Sequence, residues 1–402
     1  MKVMIISGVF AKENEQEIIE HAKRPVEFSA NVFQNKMIRG FQKTGIETSV
    51  LSAPFIGSFP NASGIIKFSG FTNYQDQYTY VPFNNCWGFR NMSRAASLKK
   101  ALENFIADVE QEKLIVVYSA HTPFLEAAVY AKKRNPKIRI CMVIPDLPQY
   151  MNLNTKISMI YKLGKQWDIA KFNKLAQFVD SFVLLTEAMK EKLPVGNKPY
   201  KVVEGIVDDG AFEKNEIARK QLRNCGSKEQ YIVYTGKTNE RFGVRKLVDA
   251  FTAMEAPSAR LVLCGRGDCD AYIAEMALRD NRIVALGQVP HDVAAQWVLK
   301  ADVLVNPREN TEEYTKYSFP SKTIEYLASG NPTVGYMLDG MPDIYQQLLF
   351  IADGDGLAET IKKALNVTAE ERQFRSAQAK EYLDTLCAKS LAEKILQITY
   401  AQ

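Results

Sequence analysis

The run Ser318-Phe319-Pro320-Ser321-Lys322 leads into an apolar stretch that carries a single acid, Glu325. This pattern predicts a loop that enters a short helix over 323–328, with Ser321 as a suitable N-cap. The first amides of such a helix attract anions. A carboxylate beside a bound anion is repelled unless it accepts hydrogen bonds from neutral hydroxyl groups. We therefore predict phosphates at the helix start and sugar hydroxyls at Glu325; the alternative is an ordinary acid in a first helical turn.

Four strand-like runs in the second half of the chain each end in glycine, basic or amide residues. A glycine beside a cation allows an anion to approach the backbone closely. Taken alone, the turn at Gly236-Lys237 is equally compatible with a solvated loop and Gly265-Arg266-Gly267 favours a plain turn, but the four strand ends together predict one polar rim. The strand ends are Gly236-Lys237 with nearby Arg241, Gly265-Arg266-Gly267, Gly287-Gln288-Val289 and Asn306-Pro307-Arg308.

Residues with useful chemistry also follow strand-like runs in the first half. Gly8 follows the first run, His121 follows the run 114–119, and Asp146 follows the run 138–144. A histidine at a strand end can donate a hydrogen bond or exchange a proton near neutral pH, and a purely structural histidine is the alternative. The highly charged segment 12–23 is interpreted as a mobile loop over a neighbouring cleft.

Short β-branched runs alternate with helix-period segments along all 402 residues, a length that suits two domains. Near-continuous apolar strands separated by helices indicate parallel sheets covered on both faces. The rhythm restarts after the polar stretch 207–230. We predict an α/β protein with two Rossmann-like, doubly wound domains facing each other across a cleft. The predicted domains are 1–205 and 206–380. A C-terminal helix, 381–402, is expected to cross back to the first domain. This helix would be the end of a long helical stretch, 369–400. The predicted strands are 2–7, 47–51, 114–119, 138–144, 182–186, 200–203, 231–235, 260–264, 282–286, 303–306 and 333–336.

The composition limits the class of partner. A net charge of +5, with 46% hydrophobic and 24% charged residues, is ordinary for a globular protein and predicts no nucleic-acid partner. Six scattered cysteines without a CxxC pair indicate a reducing, cytoplasmic setting, with Cys141 and Cys264 buried in apolar runs. We find no signal-peptide layout at the N-terminus and no apolar stretch long enough to span a bilayer.

The segment 150–175 alternates apolar and lysine residues. A basic amphipathic helix of this kind can lie on an anionic membrane surface. A core-packed helix with a solvated lysine face is the alternative. The apolar members are Ile157, Ile160, Leu163, Trp167 and Phe172, and the basic members are Lys156, Lys162, Lys165, Lys171 and Lys174.

Taken in order and spacing, these segments resemble family 4 glycosyltransferases of the GT-B fold, in particular the bacterial capsule, exopolysaccharide and O-antigen branch. The resemblance covers most of the chain and is specific for the family rather than for the sugar. It rests on FSANVFQNKMIRGF (28–41), VIPDLPQYM (143–151), YKVVEGIVD (200–208), YTGKTNERFGVRKLVDAF (234–251), LVLCGRGD (261–268), ADVLVNPR (301–308) and SFPSKTIEYLASGNPTV (318–334).

The resemblance implies roles for individual residues. Glu325 matches the second acid of the family's acid-x7-acid segment, which holds the nucleotide ribose. The first acid, a sugar contact, falls at Tyr317, so Tyr317, Lys316 or Glu313 is expected to replace it. Lys237 matches one member of the diphosphate pair, and Phe242 stands where the second is usually lysine. The expected nucleotide-sugar residues are Gly8, Gly236, Lys237, Arg241, Arg266, Gly267, Gln288, Val289, Arg308, Lys316, Tyr317, Ser318, Phe319, Pro320, Ser321, Lys322 and Glu325.

The resemblance further implies a retaining transfer from a nucleotide sugar, expected to be UDP-linked, to a lipid-linked or oligosaccharide acceptor. Lys237 and Arg241 would stabilise the leaving diphosphate, and the remaining catalytic candidates are Asp146 and His121. Without a DxD-like motif or a histidine pair, we expect no cofactor and no metal. We expect a cytoplasmic enzyme, at the inner face of the membrane if 150–175 binds lipid.

Two other functions stay open, and one is disfavoured. A UDP-sugar epimerase of the GT-B fold would need more acids and histidines in the cleft than three histidines allow. A non-catalytic nucleotide-sugar-binding protein is supported only by the missing acid at Tyr317. A dehydrogenase is disfavoured because no GxGxxG follows the first strand.

Overall fold

The computed structural model describes residues 1–24, 26, 28–147, 159–223 and 229–400. Contacts divide the chain into two compact units, Met1–Ile206 with Cys387–Gln402, and Val207–Leu386. The boundary between the first and second units therefore falls after Ile206, one residue beyond the expected position. The return to the first unit begins at Cys387, six residues later than expected.

The first unit begins with a strand and alternates strands with helices. Its strands are β1 (Lys2–Ser7), β2 (Glu47–Ser52), β3 (Lys67–Phe68), β4 (Phe71–Asn73), β5 (Tyr78–Tyr80), β6 (Phe83–Asn84), β7 (Lys113–Tyr118), β8 (Ile138–Ile144), β9 (Ser181–Leu184) and β10 (Tyr200–Val202). Its helices up to that point are α1 (Lys12–His21), α2 (Phe28–Gln42), α3 (Arg90–Ala101), α4 (Glu103–Ala107), α5 (Thr122–Arg134) and α6 (Met159–Ala176).

The first sheet has the strand order β10-β9-β8-β7-β1-β2-β5-β4 among the described residues. All neighbouring strands are parallel except β4, which pairs antiparallel with β5. Every residue of β7 is buried, as expected for a strand covered by helices on both faces. The strand order reverses between β1 and β7, and ligands of such sheets bind at the carboxyl ends of the strands at that point.

The second unit repeats this alternation with a smaller sheet. Its strands are β11 (Gln230–Thr235), β12 (Ala259–Cys264), β13 (Ile283–Gly287), β14 (Val303–Asn306), β15 (Thr333–Gly335) and β16 (Phe350–Ile351). Its helices are α7 (Ala211–Arg223), α8 (Val244–Thr252), α9 (Asp270–Arg279), α10 (His291–Lys300), α11 (Ser321–Ala328), α12 (Tyr345–Leu348), α13 (Leu357–Leu365) and α14 (Ala369–Asp384). The last helix, α15 (Ala388–Tyr400), belongs to the first unit.

The second sheet is parallel, with the order β13-β12-β11-β14-β15-β16. Successive residues of β11 alternate between two cores, one on each face of the sheet. Ile232 and Tyr234 enter one hydrophobic cluster, and Val233 enters the other. This arrangement fixes the strands from both sides and confirms the predicted α/β, Rossmann-like character of the unit.

Three predictions about local structure are wrong. The charged segment 12–23 is largely the helix α1, anchored by Ile18, which is only 3% exposed. The stretch 369–400 is interrupted between α14 and α15 rather than continuous. Ser321 does not cap α11, because the helix begins at Ser321 itself and Pro320 occupies the N-cap position.

Both buried-cysteine predictions are confirmed. Cys141 is fully buried and Cys264 is 3% exposed, each within a strand of its unit's sheet. Among the described residues, Cys86, Cys269 and Cys387 likewise form no disulfide. These side chains act as small apolar groups rather than as cross-links.

Candidate active site

The rim of the second sheet is formed where β11, β12, β13 and β14 end. The strand order reverses between β11 and β14, so the loops after these two strands flank the point at which ligands of doubly wound sheets bind. The first loop carries Gly236 and Lys237, and the second carries Arg308. The topology therefore brings together two strand ends that lie about 70 residues apart in the sequence.

Two glycines let the rim loops lie unusually close to one another. A Cβ at Gly265 would lie 1.6 Å from the carbonyl oxygen of Gly236, and the φ of Gly265 is +151°. A Cβ at Gly243 would lie 2.0 Å from the carbonyl oxygen of Pro307, with φ at +77°. Side chains are excluded at both places, so the loops after β11, β12 and β14 are packed backbone against backbone.

Two aspartates, whose role the sequence did not predict, hold these loops in place. Asp268 accepts hydrogen bonds from Asn239 Nδ2 at 2.9 Å and from the amide of Glu240 at 2.8 Å. These hydrogen bonds, chiefly the one from Asn239, lower the pKa of the Asp268 carboxyl group. Asp270 accepts from the amide of Gly267 at 2.9 Å and from Thr238 Oγ1 at 2.5 Å. An acid that follows a Gly-x-Gly turn was the available sequence signal.

Lys237 and Arg266 present their charges to solvent at this rim. Both side chains are exposed, and neither makes an ion pair with an acid in the part of the chain that the structure describes. The backbones of the two loops are joined, because the amide of Thr238 donates to the carbonyl of Arg266 at 3.1 Å. The rim therefore offers positive charge on a rigid backbone.

Arg241 and Arg308 both approach the ring of Tyr314. Their guanidinium carbons lie 4.6 Å and 4.8 Å from the ring centroid, within the range of cation–π contact. Arg241 also pairs with Glu312, with 2.9 Å between NH2 and Oε2. Arg308 is 8% exposed and donates to Ser318 Oγ at 2.7 Å. We call these three residues, Arg241, Tyr314 and Arg308, the arginine stack.

The arginine stack has unused donors. The Nε atoms of Arg241 and Arg308 are buried and lack a hydrogen-bond partner among the described residues. Burial, followed by the charge of Arg241, lowers the pKa of Arg308, although a guanidinium stays charged at neutral pH. Two neighbouring cations with unused donors favour a bound anion at this place.

The helix α11 starts beside the stack. The amides of Ser321 and Lys322 open the helix, while the amide of Thr323 already bonds to the carbonyl of Pro320 at 2.9 Å. Asn306, at the end of β14, donates to Thr323 Oγ1 at 2.9 Å and fixes the helix start against the sheet. The helix start, Arg308 and the β14 end consequently lie together.

Glu325 forms an ion pair with Lys322 on the same helix. Lys322 Nζ lies 2.7 Å from Glu325 Oε2, and the two side chains are 36% and 34% exposed. A partly exposed pair at this helical spacing contributes only about 0.3–0.5 kcal/mol. Either partner can therefore exchange this contact for a ligand at little cost.

The residues around Tyr317 divide into buried and exposed members. Tyr317 and Phe319 are 4% and 6% exposed, and the Phe319 ring packs against Tyr345 with 5.2 Å between centroids. Lys316 and Glu313 are exposed, and Lys316 Nζ lies 4.0 Å from Asp339 Oδ2. The segment Glu313–Tyr317 is a 3₁₀ helix that presents its charged residues outward and Thr315 and Tyr317 to the core.

Gln288 and Val289 follow β13, the edge strand of the sheet. Gln288 is exposed, and Val289 packs against the hydrophobic cluster that contains Cys264 and Tyr326. The amide of Gly265 donates to the carbonyl of Gly287 at 2.7 Å and links this strand end to the next. All four predicted strand ends thus lie along one edge.

The strand-end rim of the first unit contains a buried arginine beside His121. His121 Nε2 lies 3.5 Å from Arg94 NH1, and Arg94 is 1% exposed. Arg94 donates to the carbonyl of Pro54 and lies over the Phe83 ring at 4.4 Å. Burial, then the charges of Arg94 and Arg90, hold the pKa of His121 well below its usual value. This histidine is therefore neutral at physiological pH.

Gly8 and Asp146 also lie at strand ends of the first unit. Gly8 is buried, its amide donates to Gln34 Oε1 at 2.7 Å, and a Cβ there would meet the Phe55 ring at 2.5 Å. Asp146 follows β8 and is exposed. His121 is packed edge-on against the rings of Phe55 and Phe124 at 5.4 Å and 4.6 Å. Packing thus fixes Gly8 and His121, while Asp146 faces solvent.

The proposed lipid-binding segment 150–175 lies only partly in the described residues. Within α6, Phe172 is 2% exposed and Trp167 is 67% exposed. Lys171 pairs with Glu126 of α5, with 2.5 Å between Nζ and Oε2. Residues 148–158 lie outside the described residues. No described helix is long and apolar enough to cross a bilayer.

A comparison with protein families finds a match within the second unit. Residues 229–367 match the family model for glycosyl transferases group 1. This part of the second unit is therefore similar to glycosyl transferases of that group. The match spans β11 to α13 and includes Lys237, Arg266, the arginine stack and α11. No curated protein matches the chain in sequence.

Solved structures resemble the chain over its whole length. Sucrose-phosphate synthase from Thermosynechococcus elongatus is 14% identical, with a TM-score of 0.63 and 99% and 98% of the two chains covered. WaaG, a glycosyltransferase involved in lipopolysaccharide biosynthesis, is 14% identical, with a TM-score of 0.60 and full coverage of both. HepE from Anabaena, solved with UDP and glucose, is 13% identical, with a TM-score of 0.54 and full coverage of both. At these identities the likeness establishes the GT-B fold, which confirms the predicted fold class.

Proposed function

We propose that the protein is a retaining glycosyltransferase of family 4, in its capsule and O-antigen branch. It transfers a hexose-type residue from a UDP-linked sugar to a lipid-linked or oligosaccharide acceptor. The observation that carries this proposal is the cation-rich rim inside the residues that match the glycosyl transferase model. HepE was solved with UDP and glucose, and WaaG is involved in lipopolysaccharide biosynthesis. These two structural neighbours support the choice of donor and acceptor class.

The donor diphosphate is assigned to the rim of the second unit. Lys237 and the unused donors of the arginine stack supply charge, and the amides of Ser321 and Lys322 supply neutral N–H groups. Such preorganised donors stabilise the charge that develops on a leaving diphosphate. Arg266, Gly267, Gln288 and Val289 are assigned to the base, which suits their place toward the outer strands.

Glu325 is assigned to the ribose. Only Oε2 of Glu325 is paired with Lys322, which leaves Oε1 available as an acceptor for ribose hydroxyls. Because the ion pair is weak, Lys322 can turn toward the phosphates when the donor binds. The carboxylate then accepts from neutral hydroxyls beside the helix start rather than from a second charge.

The contact that replaces the missing first acid is assigned to Lys316 or Glu313. Tyr317 stands at the position of that acid, but it is 4% exposed and offers little surface to a sugar. Both neighbours are exposed on the same 3₁₀ helix. Burial thus separates the three candidates that the sequence left open.

In the proposed reaction the bond between the sugar C1 and the diphosphate oxygen breaks, and a bond from C1 to the acceptor oxygen forms on the same face. The acceptor proton passes to the departing diphosphate oxygen, so no protein base is required. Asp146, which is exposed, is assigned to the acceptor hydroxyls. His121 is assigned as a neutral hydrogen-bond donor, because its low pKa excludes a charged role at neutral pH.

A thermal-shift screen with nucleotide sugars tests the donor assignment, since a ligand that binds only the folded state raises its stability. We expect UDP-sugars to raise the melting temperature of the wild type and to release UDP when an acceptor is present. Glu325→Ala should lose this shift and turnover while it melts normally without ligand. Glu359→Ala is the matched control, since Glu359 is an exposed acid in the first turn of α13.

The outcomes separate the proposed function from its alternatives. Normal turnover by Glu325→Ala would show that the site is misassigned. A UDP-sugar shift without transfer to any acceptor would indicate a non-catalytic binding protein. Conversion of the UDP-sugar to its epimer would indicate an epimerase.

A further inference from the structure

Three large apolar side chains are exposed in the turn that leads into α3 and in the first turn of that helix. Trp87, Phe89 and Met92 are 60%, 66% and 70% exposed. Isolated exposed apolar residues are common, but a cluster of this kind indicates an interaction surface. Phe89 and Met92 are three residues apart across the first turn of the helix and so share a face. Trp87 is separated from Phe89 only by Gly88, whose φ is +88°.

A fourth apolar side chain borders this turn. Ile66 is 54% exposed, and its carbonyl accepts from the amide of Asn85 at 2.8 Å, two residues before Trp87. The amide of Trp87 donates to the carbonyl of Phe59 at 2.9 Å. We call Ile66, Trp87, Phe89 and Met92 the apolar patch. Its backbone is held by hydrogen bonds to neighbouring segments rather than hanging free.

The patch rests on a rigid base. The rings of Phe68 and Phe83 stack with 5.4 Å between centroids, and the buried Arg94 lies over Phe83 at 4.4 Å. Phe68 and Phe83 belong to the paired strands β3 and β6. A fixed platform therefore keeps the patch exposed, although burying it would remove a large apolar area from water.

The chain around the patch is almost free of acids. Residues 48–102 contain one acid, Asp76, and five basic residues, of which one, Arg94, is buried. Lys67, directly after Ile66, and Lys100 are exposed, whereas Lys99 forms an ion pair with Glu126. Among the described residues, the large exposed apolar side chains lie mostly in the first unit, and only Ile217, Leu278 and Phe374 belong to the second.

We infer that the apolar patch docks the first unit onto an anionic lipid bilayer. Tryptophan and phenylalanine favour the interface of a bilayer, while lysines beside them favour anionic headgroups. Ile66 and Met92 provide no hydrogen bonds for a sugar, which argues against an oligosaccharide platform. The excess of positive charge argues against a second copy of the same face. The inference stands apart from the proposed function, because it requires no donor and no glycosyl transfer.

Vesicle flotation tests the inference with the full chain and no donor or acceptor. We expect the wild type to bind vesicles of equal parts phosphatidylglycerol and phosphatidylcholine, and to bind phosphatidylcholine alone at least tenfold less. The triple variant Trp87→Ser, Phe89→Ser, Met92→Ser should bind the anionic vesicles at least tenfold more weakly. The matched control, Ile217→Ser, Leu278→Ser, Phe374→Ser, removes equally exposed apolar side chains from the second unit and should bind as the wild type does.

Tryptophan fluorescence tests whether Trp87 itself enters the bilayer. The chain has three tryptophans, and a blue shift on adding anionic vesicles should disappear in Trp87→Phe, which keeps an apolar ring in place. Wild-type protein that stays unbound, or a triple variant that binds normally, would overturn the inference. A dimer dissociated by the triple substitution would identify a second copy as the partner. Lost oligosaccharide binding without any vesicle binding would identify an acceptor platform, and either result also overturns the inference.

Discussion

The strand-end rims of the two sheets differ in how far their positively charged side chains are exposed. In the second unit, Lys237 and Arg266 are exposed and the arginine stack retains unused donors. In the first unit, Arg94 is 1% exposed and directed at Pro54 and His121, and its Nε, like those of the arginine stack, is buried without a partner among the described residues. The two rims are built on the same kind of parallel sheet, so the difference lies in side chains rather than in topology.

The contrast indicates different ligands. An exposed cation beside amides and unused guanidinium donors suits a charged group such as a diphosphate. A buried cation whose charge is turned inward keeps His121 neutral, and a neutral histidine together with the exposed carboxylate of Asp146 suits hydroxyl groups. The same fold can therefore hold a nucleotide diphosphate at one rim and a neutral acceptor at the other.

The largest effect is expected from Lys237→Met. We expect a fall of about 100-fold in kcat/KM, because removal of one preorganised donor to developing charge typically costs that much. The change should leave the folded state intact, since Lys237 is exposed. Steady-state kinetics of UDP release measure the loss.

Lys363→Met is the matched control, because Lys363 is an exposed lysine on α13 of the same unit. We expect its kinetics to equal those of the wild type. Arg94→Met sharpens the contrast, because it should change the stability of the first unit while the affinity for UDP stays as in the wild type. If Arg94→Met lost as much UDP affinity as Lys237→Met does, the distinction between the rims would be removed.

Most of the sheet could be predicted from the sequence, and the exceptions have physical causes. Runs such as Ile138–Ile144, which is apolar except for the exposed Arg139, are typical of a buried strand. The segment 12–23 is so rich in charge that its helix rests largely on one buried residue, Ile18, and on tertiary packing. The strands β3 to β6 are two or three residues long, too short for a period-2 pattern to reveal.

The site was predictable where chemistry follows a strand end and obscure where it depends on packing. Lys237, Arg266 and Arg308 follow apolar runs and could be found on that ground. Tyr314 could not, because its contact with two arginines depends on how the segment after β14 folds back. The burial of Tyr317 was equally hidden, since a tyrosine among polar neighbours gives no periodic signal.

A smaller effect is expected from the pH dependence of stability. The pKa of His121 lies well below 6.5 in the folded chain and returns to its usual value on unfolding. Below pH 6.5 the unfolded chain therefore binds a proton that the folded chain does not bind. The free energy of unfolding consequently falls as the pH falls, by up to about 1.4 kcal/mol per pH unit. His121→Asn should lose this part of the slope.

Urea denaturation between pH 7 and pH 5 measures the difference in slope. Comparing the two proteins at each pH removes the contribution of the carboxyl groups, which they share. Parallel curves would show that His121 accepts a proton in the folded chain as readily as in the unfolded one. The first rim would then be charged in acid, and the contrast with the second rim would weaken.

The smallest effect is expected from Glu312→Gln. Glu312 forms an ion pair with Arg241, with 2.9 Å between Glu312 Oε2 and Arg241 NH2. The two side chains are 44% and 31% exposed. A bound diphosphate must displace this carboxylate before it can reach the guanidinium. An exposed ion pair contributes about 0.2–1 kcal/mol, so its removal should tighten UDP binding by roughly fivefold at most.

Calorimetric titration with UDP checks this effect, and Glu309→Gln is its matched control. Glu309 lies in the same loop but pairs with Lys246, with 2.8 Å between Oε1 and Nζ, and neither residue is assigned to the donor. Weaker UDP binding by Glu312→Gln would mean that the carboxylate orients Arg241 for the diphosphate instead of competing with it. Tighter binding confined to Glu312→Gln would show that the second rim holds its charge ready for an anion, whereas the first rim keeps its charge buried.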